Sequence, residues 1–182
     1  MTAGRRIPVG VRRALRPGSW YGYRVDEFTA NLDYPMLVLT VPAPAGGRPA
    51  GCLVGFATQC SIAPPRFLVC VSKANHTFRA LPGARKVGVH LLSTADHDLA
   101  ELFGERTGDE IDKFRRCQWS AGDDRVPVLA RCLSWYVGEV LDLVDLGDHM
   151  GLVLAPQRWG SREDGAPLMY SAIRDMSAGH PA

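Results

Sequence analysis

Residues 51–77, GCLVGFATQCSIAPPRFLVCVSKANHT, constrain the fold more than any other stretch of the 182-residue chain. Two apolar runs, 52–56 and 67–71, are rich in residues that favour strands. Between them lie the small or polar residues Ala57, Thr58, Gln59, Cys60 and Ser61. Pro64-Pro65 follows, a pair that neither a central strand nor a helix interior accommodates. Beyond the second run, Lys73, Asn75 and Thr77 stand where a strand gives way to the start of a helix. Strand, hydroxyl-rich corner, Pro-Pro turn, strand and capped helix together describe a pocket with phosphate-sized chemistry at one end.

The rest of the chain continues in short strands. MLVLTV at 36–41 predicts the first, and the Gly46-Gly47 turn brings 51–57 back as its hairpin partner. Residues 67–72 are apolar at successive positions, which predicts a third strand buried on both faces. Asn75 is placed to cap a short helix carrying Phe78 and Leu81, which Pro82-Gly83 ends. VGVHLL at 87–92 is a fourth strand; Ser93 and Asp96 then suit a capping box for a helix with Leu99, Leu102 and Phe103 as its stripe and Gly104 past its end. Residues 105–124 read as irregular, anchored by Phe114 and Trp119. A long strand over 132–144, bulged at Gly138, turns at Gly147-Asp148-His149 into another over 149–154, and 165–170 adds a last short one. Many strands and few short helices predict a mainly β fold, a barrel or sandwich with helical additions. One domain over 35–170 is expected, between a basic leader, 1–34, and a tail, 171–182.

Charge narrows the function. The net charge of +2 suggests no polyanionic partner, and Arg5, Arg6, Arg12, Arg13 and Arg16 all precede the first acid, Asp26. Such an arm reads as a solvated tail, with nucleic acid or membrane contact as the alternative. Five cysteines without a CxxC pair suit a reducing compartment. No run approaches the roughly 18 apolar residues of a membrane helix, and the Arg-rich start lacks the apolar core of a secretory signal. The expectation is a cytoplasmic protein with neither membrane nor nucleic acid as partner. His76, His90 and His97 lack metal-ligand spacing, so no metal is expected. Without a GxGxxG fingerprint, a nicotinamide dinucleotide would not be held in the Rossmann manner, and no GxSxG motif suggests hydrolysis.

Three constellations remain. Thr58 and Ser61 offer hydroxyls at a strand end beside Phe56, either as a ligand edge or as an ordinary polar corner. Lys73, Asn75 and Thr77 combine a cation with a helix start, either for phosphate or as a plain cap beside a surface lysine. His149 either meets a ligand at a pocket mouth or simply bonds Asp148 in the turn.

Taken in order, these segments resemble the flavin reductase-like, FMN-binding split-barrel family. The likeness is carried by MLVLTV, GCLVGFATQCSIAPPRF, SKANHT, VGVHLL, LAELFG, the Asp112-Lys113-Phe114 triplet, the strand around Trp135, Gly147-Asp148-His149 and PLMY at 167–170. The resemblance implies a six-stranded Greek-key split barrel, a homodimer, and one FMN, or alternatively FAD, near the dimer interface. It sets the isoalloxazine against Phe56, Ala57, Thr58, Gln59, Cys60 and Ser61, and the ribityl phosphate near Lys73, Asn75 and Thr77. It puts His90 and Leu91 beside the ring or ribityl, Phe114 over the site, and His149, the catalytic candidate, facing the nicotinamide. Ala63 departs from the aspartate that many members carry before the Pro-Pro pair. The implied reaction is hydride transfer from NADH or NADPH to flavin, feeding a flavin-dependent monooxygenase. Such a transfer requires two stacked rings rather than a strong base, so His149 would position or stabilise charge. The alternatives are a flavoenzyme that holds FMN tightly and acts directly on a small substrate, and a non-catalytic flavin-binding module.

Overall fold

The computed structural model of the chain describes residues 26–162 and 164–179. Most of the basic leader, including Trp20, Tyr21 and Tyr23, lies outside the described residues. The chain divides into two units, Met1–Leu32 and Asp33–Ala182. The described part of the first holds one helical turn, α1 (Asp26–Thr29). Everything below concerns the second.

Seven strands form one antiparallel sheet: β1 (Leu37–Val41), β2 (Ala50–Val54), β3 (Ala57–Ser61), β4 (Arg66–Ser72), β5 (Lys86–Leu91), β8 (Ser134–Asp145) and β9 (His149–Ser161). A separate ribbon pairs β6 (Trp119–Ala121) with β7 (Pro127–Leu129). Across the main sheet the order is β2-β1-β5-β8-β9-β4-β3. The antiparallel pairing and the dominance of strand over helix agree with the mainly β expectation. The count differs, with seven strands in place of six. The additional strand is β3, whose polar ATQCS sequence reads as a corner because only Ala57 and Ser61 are even partly buried. Pairing with β4, from Ala57 opposite Val69 to Ser61 opposite Arg66, supplies what side-chain pattern does not.

Several other boundaries shift for physical reasons. β4 buries one face only: Val69 and Val71 are in the core while Phe67, Leu68 and Cys70 are partly exposed. The register of β8 against β9 slips at Gly138, where the bulge is expected, and again between Val140 and Asp142. β9 continues seven residues past Leu154, because the polar Gln157–Ser161 end is held by pairing with the start of β8. Around 165–170 there is no strand, only two isolated bridges, Ser93 to Pro167 and Pro35 to Met169.

Of the two helix starts expected from sequence, the first forms as expected. The Asn75 side chain accepts from the Thr77 N–H at 3.0 Å and caps α2 (His76–Ala80). The capping box expected at Ser93 and Asp96 does not form: Asp96 is itself the N-cap of α3 (His97–Gly104), makes no side-chain bond to the helix, and accepts instead from the Ser93 N–H at 3.0 Å and from its hydroxyl. Leu99, Ala100 and Phe103 of α3 join Met36, Val38, Phe114, Leu168 and Ile173 in a second core, so the segment expected as a tail carries a buried residue. The first core lies between β1, β2, β4, β5 and β9. Lys113 is buried where the cores approach, its ammonium donating to the carbonyls of Gly51 and Phe103 at 3.1 Å each. Burial pushes its pKa down to about 8. No helix among the described residues is long and apolar enough to cross a membrane.

Candidate functional site

The step from β2 to β3 builds the site. Gly55 and Phe56 link the two strands, and the Phe56 carbonyl accepts from the Cys70 N–H at 2.9 Å, which fixes the corner against β4. Phe56 remains 54% exposed there. It stands in a run of rings. Tyr170 stacks on Tyr34 at 5.0 Å, Tyr34 meets Phe56 edge-on at 5.9 Å, and Phe56 lies 5.4 Å from His149. A Cβ at Gly55 would sit 2.3 Å from the Tyr34 ring, so only glycine lets that tyrosine lie where it does.

These rings edge a cleft of about 230 Å³, lined also by Met36, Leu53, Val54, Ser72 and Asn75. Its lining mixes apolar side chains with the polar groups of Ser72, Asn75 and His149. The antiparallel register of β4 and β9 sets Ser72 opposite His149, which brings the histidine beside the strand end that leads into α2. His149 Nδ1 is 2.8 Å from Asp148 Oδ1. Hydrogen bonding to His149 holds the Asp148 carboxyl below the usual carboxylate range.

The residues singled out from sequence divide among several surroundings. Phe56, Asn75 and His149 meet in the cleft. Ala57 and Leu91 instead line a separate apolar groove of about 420 Å³, with Phe67, Trp135, Tyr136 and Trp159. Thr58, Gln59 and Cys60 are exposed on β3, and Ser61 partly so. Because β3 ends the sheet, one of its backbone edges faces away from the ladder. Lys73 turns to Asp145, donating at 2.7 Å. Thr77 is completely buried, its hydroxyl without a hydrogen-bond partner among the described residues.

His90 and Phe114 are interior residues. His90 is completely buried, with Nδ1 3.1 Å from the Val38 carbonyl and Nε2 accepting from the Leu129 N–H at 3.1 Å. Both ring nitrogens serve the fold, and neither has surface to offer a ligand. Phe114 packs edge-on between Phe103 and Trp119 in the second core. Among the cleft residues that sequence reasoning missed are Tyr34, Gly55, Ser72 and Tyr170. A tyrosine before the first strand and another after a Pro-Leu-Met run give no local sign that they will stack. Among the described residues no three His, Cys, Asp or Glu side chains converge as a metal site.

Residues 29–178 match the sequence model of the flavin reductase like domain. The chain is 28% identical over 163 residues to an NADH:FMN oxidoreductase of Rhodococcus erythropolis, covering 86% of this chain and 83% of that protein. It is 29% identical over 116 residues to a stachydrine N-demethylase reductase subunit of Rhizobium meliloti, covering 64% of this chain but 49% of the relative. Against a probable flavin reductase of the same organism the matched part is 34% of the relative, so the chain spans between a third and a half of these two proteins. In fold it is similar to a flavin reductase domain protein of Arthrobacter, with a TM-score of 0.72 at 24% identity over 86% of this chain and 93% of that one.

Proposed function

The chain belongs to the flavin reductase like domain family, and from that premise we propose that it is an NAD(P)H-dependent flavin reductase that uses the Phe56–His149 cleft. The observation that carries the reading is the cleft itself: an exposed phenylalanine on a glycine-built corner, flanked by stacked tyrosines and rimmed by Ser72, Asn75 and a histidine with a fixed carboxylate partner. Apolar ring faces with hydrogen-bonding groups beside them are what a tricyclic ring requires, so these residues fit FMN, with FAD as the alternative. Bound flavin would supply the two-electron acceptor, and NADH or NADPH the hydride.

The chain's own part is positioning. Phe56 and Tyr34 offer ring faces that exclude water from one side of the cleft. Ser72 and Asn75 offer polar contacts in the same cleft. His149 engages Asp148 through Nδ1 at 2.8 Å, which leaves Nε2 on the other side of the ring. No strong base stands in the cleft, and hydride transfer does not call for one.

The partners follow from the same reading. Leu141, Leu143, Val144 and Leu146 are between 37% and 48% exposed on the β8–β9 hairpin, and Trp159 is 75% exposed at the groove. So much apolar surface supports a homodimer, with the sheet as the family's split barrel. Relatives described as a demethylase reductase subunit and as a styrene monooxygenase flavin reductase support delivery of reduced flavin to a separate oxygenase. Five free thiols among the described residues suit a cytoplasmic setting. Titration of FMN fluorescence against wild type and Phe56→Ala tests the site. Weakening of at least tenfold in the variant supports it, and equal binding rejects this cleft.

A further inference from the structure

Lys73 and the turn that carries His149 form one connected unit. The Lys73 ammonium donates to Asp145 Oδ1 at 2.7 Å, and the Lys73 backbone N–H donates to the Asp148 carbonyl at 2.9 Å. Asp145 Oδ1 also accepts the Gly147 N–H at 3.0 Å, while the Leu146 N–H donates to the His149 carbonyl at 3.0 Å and closes the hairpin. Gly147 supplies the left-handed backbone, φ +102°, that so tight a turn needs. Asp148 then holds the His149 ring. One residue of β4's far end thus grips the turn at both limits, by side chain at Asp145 and by backbone at Asp148.

A lysine just ahead of a helix start invites a phosphate-binding role, but the geometry points elsewhere. The cleft is lined by Ser72 and Asn75 on either side of Lys73, and not by Lys73. Its ammonium faces a carboxylate already, and the ion pair holds the Asp145 carboxyl below the usual range. The following helix has only five residues, so its dipole adds little for an anion. We propose that Lys73 is a positioning residue for His149, acting through the Asp145–Asp148 turn, rather than a ligand of the flavin phosphate. The proposal rests on the flavin reductase reading only for the meaning of His149. The linkage itself is independent of any cofactor.

The test compares Lys73→Met, Asp145→Asn and the double variant, with Lys73→Arg as the conservative control. Three quantities are read: Kd for FMN and for riboflavin by fluorescence quenching, KM and kcat for NADH, and the His149 ring resonances by NMR without ligand. Positioning predicts that both single variants shift the His149 resonances alike and raise KM by about two- to fivefold, the range expected for an exposed ion pair. The double variant then adds nothing further, Lys73→Arg restores the wild-type pattern, and FMN and riboflavin affinities keep their ratio. A Lys73→Met protein that loses FMN affinity but keeps riboflavin affinity, while Asp145→Asn binds FMN as well or better, makes Lys73 a phosphate ligand and overturns the proposal. Unmoved His149 resonances in both single variants overturn it too. Wild-type protein that binds neither flavin would defeat the reductase reading alone, since the resonance comparison would still decide the linkage.

Discussion

His90 should make the stability of this protein fall with pH well above the range where carboxylates titrate. The ring is completely buried on β5, and the Leu129 N–H points at Nε2, so the proton must sit on Nδ1, donating to Val38. A second proton on Nε2 would face the Leu129 N–H donor at 3.1 Å in a fully buried position. Desolvation outweighs the bond to Val38 and lowers the pKa from 6.5 to about 4. Below 6.5 the unfolded chain takes up a proton that the folded chain refuses until pH 4, so acid favours unfolding. Between pH 7.5 and 5.5 the loss works out at about 1 kcal/mol, and it saturates at about 3 kcal/mol below pH 4. Asp33, Asp109, Asp124, Asp145 and Asp148 have pKa values lowered from 3.8, so they withdraw their contributions only below this window. Urea unfolding at the two pH values, for wild type and His90→Gln, isolates the effect. A glutamine amide oxygen can accept from Leu129 without titrating, so the variant should lose the slope. A wild-type midpoint that does not move, or a variant that keeps the slope, would refute the reasoning.

Other consequences are as direct. Gly55→Ala places a Cβ 2.3 Å from the Tyr34 ring, and the displacement should cost about 1–3 kcal/mol in thermal stability and alter the near-ultraviolet circular dichroism of the stacked tyrosines. Lys113→Met leaves the carbonyls of Gly51 and Phe103 without their buried donor, and should lower the unfolding free energy by about 2 kcal/mol in urea titration. Leu143→Asp on the exposed face of the β8–β9 hairpin should shift a dimer towards monomer in sedimentation. An unchanged sedimentation coefficient would place the contact elsewhere.

Much of the sheet was legible because its strands declare themselves locally. MLVLTV and VGVHLL are apolar, β-branched and bounded by turn residues, and each became a strand within one residue of its expected limits. Asn75 and Gly138 were equally legible, since a cap and a bulge depend on one residue and its immediate neighbours. β3 and the far end of β9 were not. Their polar residues form strands only because β4 and β8 lie alongside, and pairing between distant segments leaves no trace in local pattern. The site divides in the same way. Phe56 and His149, singled out from corner and turn chemistry, do adjoin one cleft, whereas Tyr34 and Tyr170 are brought together by the distant bridge between Pro35 and Met169. His90 misled because a histidine in an apolar strand looks the same whether it serves a ligand or, as here, ties β1 to the end of β7 at Leu129.

The central claim is that the Phe56–His149 cleft holds a flavin where a nicotinamide can reduce it. Anaerobic stopped-flow of the purified protein with FMN or FAD, mixed with NADH or NADPH, tests it most directly. The account predicts rapid bleaching of the oxidised flavin band with at least one nucleotide, slowed in His149→Ala. Bound flavin that neither nucleotide reduces would contradict the reductase and leave a flavin-binding module. No flavin binding at all would contradict the assignment of the cleft.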